Sequence, residues 1–375
     1  MYLWIKPWEL SIKMNEHKAY KQLFPPNIVI YIFIILFAYP TQACTAFCLK
    51  KDNHLLLAKN LDWPINNGII ILNKKGLRKT AYTDQKPKIS WIAKYGSITF
   101  NQFGKEFPLG GMNETGLVIE ELNSWGQPPN NKSLFKLNEF QFVQYILDNC
   151  ATVDEIFRLQ DSITIQPVFI NLHYLISDRL GNFAIIEFYD NQSHFYFGDM
   201  IKYPILSNNL YKNSLKYIRQ FKGFGGDLVL KNENTSGERF VRVAKLLKKS
   251  ENFAYQRPYM TAFSILDSVH QEDTQWSIIY DINEKQIYFK TSLNLIIKSI
   301  RLDNFDFSCQ TPLLSLNINS IDSNEVKPRF NNFTNEQNTE LLMNVFAKYK
   351  LYQLGNEEKS VFEGMARYGN SIKCK

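Results

Sequence analysis

The sequence predicts an α+β layered fold. Strand-type stretches, helical stretches, further strands, further helices and a last pair of strands follow one another in blocks, an order that suits helices packed outside sheets. Apolar residues make up 45% and aromatic residues 14% of the 375-residue chain, enough for one large core and far from disordered compositions. Thr152, followed three residues later by Glu155, is a capping box that fixes a helix start inside the first helical block.

Taken in order, residues 55–58, 68–72, 97–100 and 117–119 are short apolar runs punctuated by Gly, Asn and Pro, and read as strands. Between residues 137 and 160 the period lengthens. Phe140, Val143, Ile146 and Leu147 fall on one face, and the capping box at Thr152 opens a second helix onto Ile156 and Phe157. Residues 172–176 and 183–188 flank the turn Asp178-Arg-Leu-Gly181, a hairpin signal, and residues 194–197 add a third strand. Helical patterning returns at 214–221, 239–249 and 262–269. Strands at 276–280 and 286–290 are joined by Asp281-Ile-Asn-Glu-Lys285 as a late hairpin. Beyond Ile300 the chain turns polar, with a C-terminal extension from about residue 305. Its Asn-rich stretch 317–338 reads as loop or wrapping tail before a last helix at 338–350. No internal repeat is visible.

Charge and motif content exclude several classes. The formal charge of +7 falls by two when the four Lys and two Glu of residues 1–43 are set aside, and the remainder forms no basic stripe interleaved with aromatics, so nucleic acid is not a predicted partner. Lys245-Leu-Leu-Lys-Lys249 is a solvated helix face. There is no Cys-x-x-Cys and no His-Glu-x-x-His, and the five histidines at 17, 54, 173, 194 and 270 are scattered, so neither a metal nor a cofactor is implied. The sequence leaves a homo-oligomer open.

The first 43 residues read as a secretory signal peptide. The apolar run 28–39 follows Lys13, Lys18 and Lys21 and is followed by Pro-Thr-Gln-Ala, with Ala43 directly before Cys44. About twelve apolar residues fall short of the ~20 needed to span a bilayer, so no stable membrane span is expected after removal. Thr41 and Gln42 are poor company for lipoprotein cleavage. Met14 is an alternative start to Met1. A periplasmic or secreted protein is expected, with one catalytic domain over 44–375. Cleavage before Cys44 would place a thiol and a free amine on one residue, and that amine titrates near ~8, against ~10.4 for lysine, making it a base usable near neutral pH. If Cys44 stays free, Cys48, Cys150, Cys309 and Cys374 allow zero, one or two disulfides, and spacing does not choose among them.

Five blocks occur in a fixed order: Cys44-Thr-Ala-Phe, Lys59-Asn-Leu-Asp-Trp63, Gly110-Gly-Met-Asn-Glu-Thr-Gly116, Ser207-Asn-Asn209 and Arg239-Phe-Val-Arg242. Together they resemble the signature blocks of the choloylglycine hydrolase family, the linear amide C–N hydrolases that include bile-salt hydrolases and penicillin V acylases. The resemblance runs from Cys44 to about Thr291. It implies a four-layer αββα N-terminal-nucleophile hydrolase sandwich that cuts a non-peptide amide through an acyl-enzyme.

By the same resemblance Cys44 is the nucleophile, Asp62 orients its amine, Asn208 and Asn123 supply oxyanion donors, and Arg239 is the later active-site arginine. Lys59 stands where the bile-salt branch has arginine, keeping the charge but losing the planar donor fork. Trp63 and Trp125 are candidate substrate-binding residues, and an apolar acyl group is expected. Without the resemblance, Asp62, Asn208 and Gly110-Gly111 read as turn residues, Arg239 as a surface helix residue, Cys48 as a small buried hydrophobe and His173 as a core histidine. The rivals are an acyltransferase using the same acyl-enzyme and a lipid-anchored binding protein acylated on Cys44.

Overall fold

The computed structural model describes residues 44–129, 135–231, 233–250, 257–320 and 329–374. The signal peptide expected over 1–43 lies outside the described residues. Two antiparallel sheets form the centre. The first has six strands in the order β14-β1-β2-β15-β16-β17: β14 (Ile205–Ser207), β1 (Thr45–Lys51), β2 (His54–Asp62), β15 (Thr274–Asp281), β16 (Gln286–Thr291) and β17 (Asn294–Arg301). The second has nine strands in the order β13-β12-β11-β8-β7-β6-β3-β18-β19. These are β13 (Gln192–Phe197), β12 (Phe183–Tyr189), β11 (Leu172–Ser177), β8 (Val118–Asn123), β7 (Pro108–Asn113), β6 (Ser97–Asn101), β3 (Ile69–Asn73), β18 (Leu314–Asn317) and β19 (Asn331–Asn332). Two small ribbons complete the strands: β4 (Arg78–Thr80) with β5 (Ser90–Ile92), and β9 (Phe135–Leu137) with β10 (Ile163–Ile165).

Helices cover the outer faces. Helix α1 (Glu139–Asn149) packs on β7 and β8, and the short α2 (Val153–Phe157) follows it, capped by Thr152 as its sequence announces. On the other side, α3 (Tyr211–Ile218), α4 (Ser236–Ser250) and α5 (Pro258–Ser268) lie on the six-stranded sheet. This is the four-layer αββα sandwich. Its central strands are covered on both faces, so they read as near-continuous apolar runs, as in Leu55 to Ala58 of β2, with no alternation.

Three local expectations differ from the structure. Gly110-Gly111 is not a tight turn but the middle of β7. A Cβ on Gly110 would stand 2.2 Å from the Glu120 carboxyl carbon on β8, and one on Gly111 would stand 2.5 Å from the Ile98 carbonyl oxygen on β6. The polar C-terminal stretch is not all loop, because β18 pairs with β3 and extends the larger sheet. The last helix is two: α6 (Asn335–Leu351), begun by Thr334 accepting from the Gln337 amide, and α7 (Lys359–Ser371), which packs along it. A disulfide joins Cys309 to Cys374, while Cys44, Cys48 and Cys150 are free thiols. Among the described residues no helix is long and apolar enough to cross a membrane.

Candidate active site

The centre of the site is assembled by three adjacent strands. β1 pairs with β2 so that Thr45 faces Asn60, and with β14 so that Thr45 also faces Ser207; Cys44 therefore sits at the start of a strand held from both sides. Its thiol points to the carbonyl oxygen of Asp62, 3.8 Å away, and lines a cavity of about 170 Å3. Asp62 ends β2. A bulge in β15 between Thr274 and Trp276 turns Thr274 toward it, and the Thr274 hydroxyl donates to Asp62 Oδ1 at 2.5 Å. Such bulges re-aim single side chains without breaking the sheet. The other carboxylate oxygen, Asp62 Oδ2, is buried without a hydrogen-bond partner among the described residues, and the Arg239 guanidinium stands 3.9 Å from it.

Arg239 lies in the first turn of α4 but is not a surface residue. It is 1% exposed and reaches inward across the sheet. Its Nη1 donates to the Cys44 carbonyl oxygen at 2.7 Å and to Thr45 Oγ1 at 2.6 Å, and its Nη2 donates to Asn208 Oδ1 at 2.9 Å. Asn208 follows β14 and passes the chain on, its Nδ2 donating to the carbonyl oxygen of Asn123 at the end of β8 at 3.0 Å. One guanidinium thus fixes Cys44, Asn208 and, through Asn208, Asn123. The planar fork of arginine suits this shared grip better than a point charge would.

Lys59 is handled differently. Its ammonium is buried between Glu120 at 3.0 Å and Glu121 at 3.1 Å, and Glu120 also accepts from the Tyr280 hydroxyl at 2.5 Å. Burial works against the Lys59 charge, but the two carboxylates more than offset it, so its pKa is raised and it stays protonated. Glu120 is raised by burial, against the pull of Lys59 and Tyr280. The bare Cα of Gly110 is what leaves room for this carboxylate.

These charges set the state of the thiol. Burial pushes Cys44 up to about 12; Lys59 pulls it down, and Asp62 and Glu121 push it further up. Asp62 is itself raised to about 7, chiefly by burial, with Thr274 and Arg239 opposing. With Cys44 joined to Ala43, the site therefore holds a protonated thiol and a half-ionised carboxyl.

The cavity is polar at Cys44, Asp62, Glu121, Asn123 and Gln102 and mostly apolar elsewhere. Trp63 is part of its lining. Trp125 is not: it is 79% exposed and absent from the lining, because the chain turns outward after β8. The apolar wall is instead a run of rings that sequence reasoning missed. Phe103 stacks on Phe140 at 4.4 Å and lies 4.9 Å from Phe169, which lies 5.8 Å from Tyr349. Thr274, Glu120 and Glu121 were missed as well. Two consecutive carboxylates inside an apolar strand were a usable signal, since such groups need a buried cation. His173 is a buried core residue bonded to Glu187 at 2.9 Å, and Cys48 is a buried free thiol. Among the described residues no cluster of His, Cys, Asp or Glu is arranged to hold a metal.

Known proteins resemble this chain in sequence and in fold. The chain is 25% identical over 315 residues to the penicillin V acylase of Pectobacterium atrosepticum, covering 71% of this chain and 82% of that one. It superposes on penicillin V acylase from Agrobacterium tumefaciens with a TM-score of 0.67 at 22% identity, covering 78% of this chain and 98% of the other. A mutant conjugated bile acid hydrolase from Clostridium perfringens gives a TM-score of 0.59 at 19% identity, covering 73% of this chain and 96% of that one. Residues 44–315 match the family model of the linear amide C-N hydrolases, and on that match the chain belongs to the choloylglycine hydrolase family.

Proposed function

We propose that this amide hydrolase is exported, is cut before Cys44, and then uses that residue as nucleophile and base together. The observation that carries this reading is Asp62 Oδ2, a buried carboxylate oxygen beside Cys44 with no hydrogen-bond donor among the described residues. Buried carboxylate oxygens are normally satisfied, and a new α-amine on Cys44 would supply the missing donor. The α-amine then takes the thiol proton. The thiolate attacks the amide carbonyl, donors from Asn208 and the backbone near Asn123 receive the oxyanion, and the ammonium returns the proton to the departing amine. Water attacks the resulting thioester, releasing the acid and restoring the thiol. Arg239 holds Cys44 and Asn208 in place, and Lys59 keeps Glu120 and Glu121 from adding two uncompensated charges beside the thiol.

The cavity supports an acyl group about one ring or a short alkyl chain in size. Its 170 Å3 is close to the ~150 Å3 at which an engineered apolar cavity takes one benzene. Phenoxyacetyl amides fit that volume, and a four-ring steroid does not. Export is supported by the lysines and apolar run ahead of Cys44 and by the Cys309–Cys374 disulfide, a bond that persists in oxidising compartments. The test is a panel of phenylacetyl, phenoxyacetyl, alkanoyl and cholyl amides assayed with wild type and Cys44→Ser. Turnover confined to the wild type, with N-terminal sequencing that begins at Cys44, is expected. Equal turnover by both proteins refutes the nucleophile.

A further inference from the structure

The family match ends at residue 315, yet the cavity beside Cys44 is completed by residues beyond it. Tyr349, in the last turn of α6, and Leu354, in the connection 352–358 between α6 and α7, both face into it. Tyr349 is 2% exposed, with its ring 5.8 Å from Phe169 and 5.7 Å from Phe362 of α7. The connection doubles back at once. Gln353 takes a positive φ of 52°, and the Leu354 amide donates to the Tyr349 carbonyl at 3.1 Å, which turns the leucine side chain toward the cavity.

This wall is fastened to the sandwich at several points. Lys348 donates to Asn66 Oδ1 at 2.7 Å, beside the segment that carries Trp63. Asn338 of α6 accepts from the Lys105 amide at 2.8 Å and donates to Asn370 of α7 at 2.9 Å. Tyr368 donates to the Thr80 carbonyl at 2.6 Å, and the Cys309–Cys374 disulfide closes the end. A wall held this way has a fixed position, so its side chains define a length.

The charged lining gathers at Cys44, Asp62 and Glu121, beside Asn123, and the rings of Phe103, Phe140, Phe169 and Tyr349 are in contact with one another along the wall, where Gln102, a further polar residue of the lining, donates its amide to the Ile65 and Asn67 carbonyls. An acyl group with its carbonyl at Cys44 has its far end among those rings. We propose that Tyr349 and Leu354, contributed by the C-terminal helix pair, form the end wall that sets the longest acyl group this enzyme accepts. The proposal rests on the cavity being the acyl site.

Leu354 is the residue to change, because it is only half-buried and its replacement leaves the core intact. Refusing or admitting one methylene in an apolar pocket is worth roughly 10- to 200-fold in kcat/KM. The assay measures kcat/KM for acetyl, phenylacetyl, hexanoyl, decanoyl and dodecanoyl amides with wild type, Leu354→Ala and Leu354→Trp, alongside thermal melts. Leu354→Ala is expected to raise the decanoyl-to-phenylacetyl ratio at least tenfold. Leu354→Trp is expected to lower the phenylacetyl-to-acetyl ratio in kcat/KM at least tenfold. If Leu354→Trp fails to fold, the Leu354→Ala ratio alone decides. An unchanged ratio in folded Leu354→Ala overturns the proposal, with the wild-type reaction still standing. A wild type that cleaves no acyl amide removes the parent reading itself, and the proposal with it.

Discussion

Keeping Ala43 joined to Cys44 should silence the enzyme, because the buried thiol is left without its base. In that state burial holds the thiol at about 12 against an ordinary 9.0, with Asp62 and Glu121 adding to the rise and Lys59 opposing it. Three pH units correspond to about a thousandfold fewer thiolates than an ordinary exposed thiol carries at any pH below 9, or ~4 kcal/mol. A chain that retains one residue ahead of Cys44 also lacks the α-amine, so both the nucleophile and its base are lost. Its kcat/KM toward a phenoxyacetyl amide should fall by about 10² to 10⁴ relative to the chain that begins at Cys44, the contribution typical of a positioned general base. Alkylation of Cys44 by iodoacetamide, followed by mass spectrometry, checks the thiol directly. In the uncut form its rate should keep rising tenfold per pH unit for as long as the fold survives, since the thiol does not ionise below about 12. In the cut form it should level off near ~8, where the amine titrates. Equal alkylation rates in the two forms at pH 7 would refute the reasoning.

Other perturbations read other parts of the site. Asn208→Ala removes the amide that bridges Arg239 and Asn123, and should lower kcat by about 10² to 10³ with a smaller change in KM; steady-state kinetics decides. Lys59→Met strands Glu120 and Glu121 without their buried cation and should cost about 3–5 kcal/mol in urea unfolding, whereas Lys59→Arg retains most of the stability. An unchanged urea midpoint for Lys59→Met would contradict the ion-pair assignment. Cys309→Ser opens a loop of 65 residues, worth about 4 kcal/mol by loop-closure entropy, and should lower the melting temperature while leaving the β-sheet circular dichroism signal in place.

The sandwich was legible because its central strands are continuous apolar runs and its first helices carry strong punctuation, such as Thr152 with Glu155. The ends were harder to read. Helix α7 carries Gly364 and Gly369, which weaken any helical signal. They are there for packing: a Cβ would stand 2.3 Å from the Tyr82 hydroxyl at the first and 2.7 Å from the Lys105 carbonyl at the second. β18 has only four residues in an Asn-rich stretch and holds its place through pairing with β3, a long-range fact that local pattern does not encode. In the site, the five motif blocks brought out Cys44, Asp62, Asn208 and Arg239, and the fold does bring these together. Thr274 escaped notice because its role depends on a bulge, and Trp125 misled because ring chemistry alone does not say which way a chain turns after a strand.

Cys44 is gripped by a side chain 195 positions further along the sequence. Arg239 grasps the Cys44 carbonyl and the neighbouring Thr45 hydroxyl, and β2 and β14 flank Thr45. The placement of Cys44 is thus written in residues far along the sequence, and a change at Arg239 or in β14 would displace it without altering either of its chain neighbours.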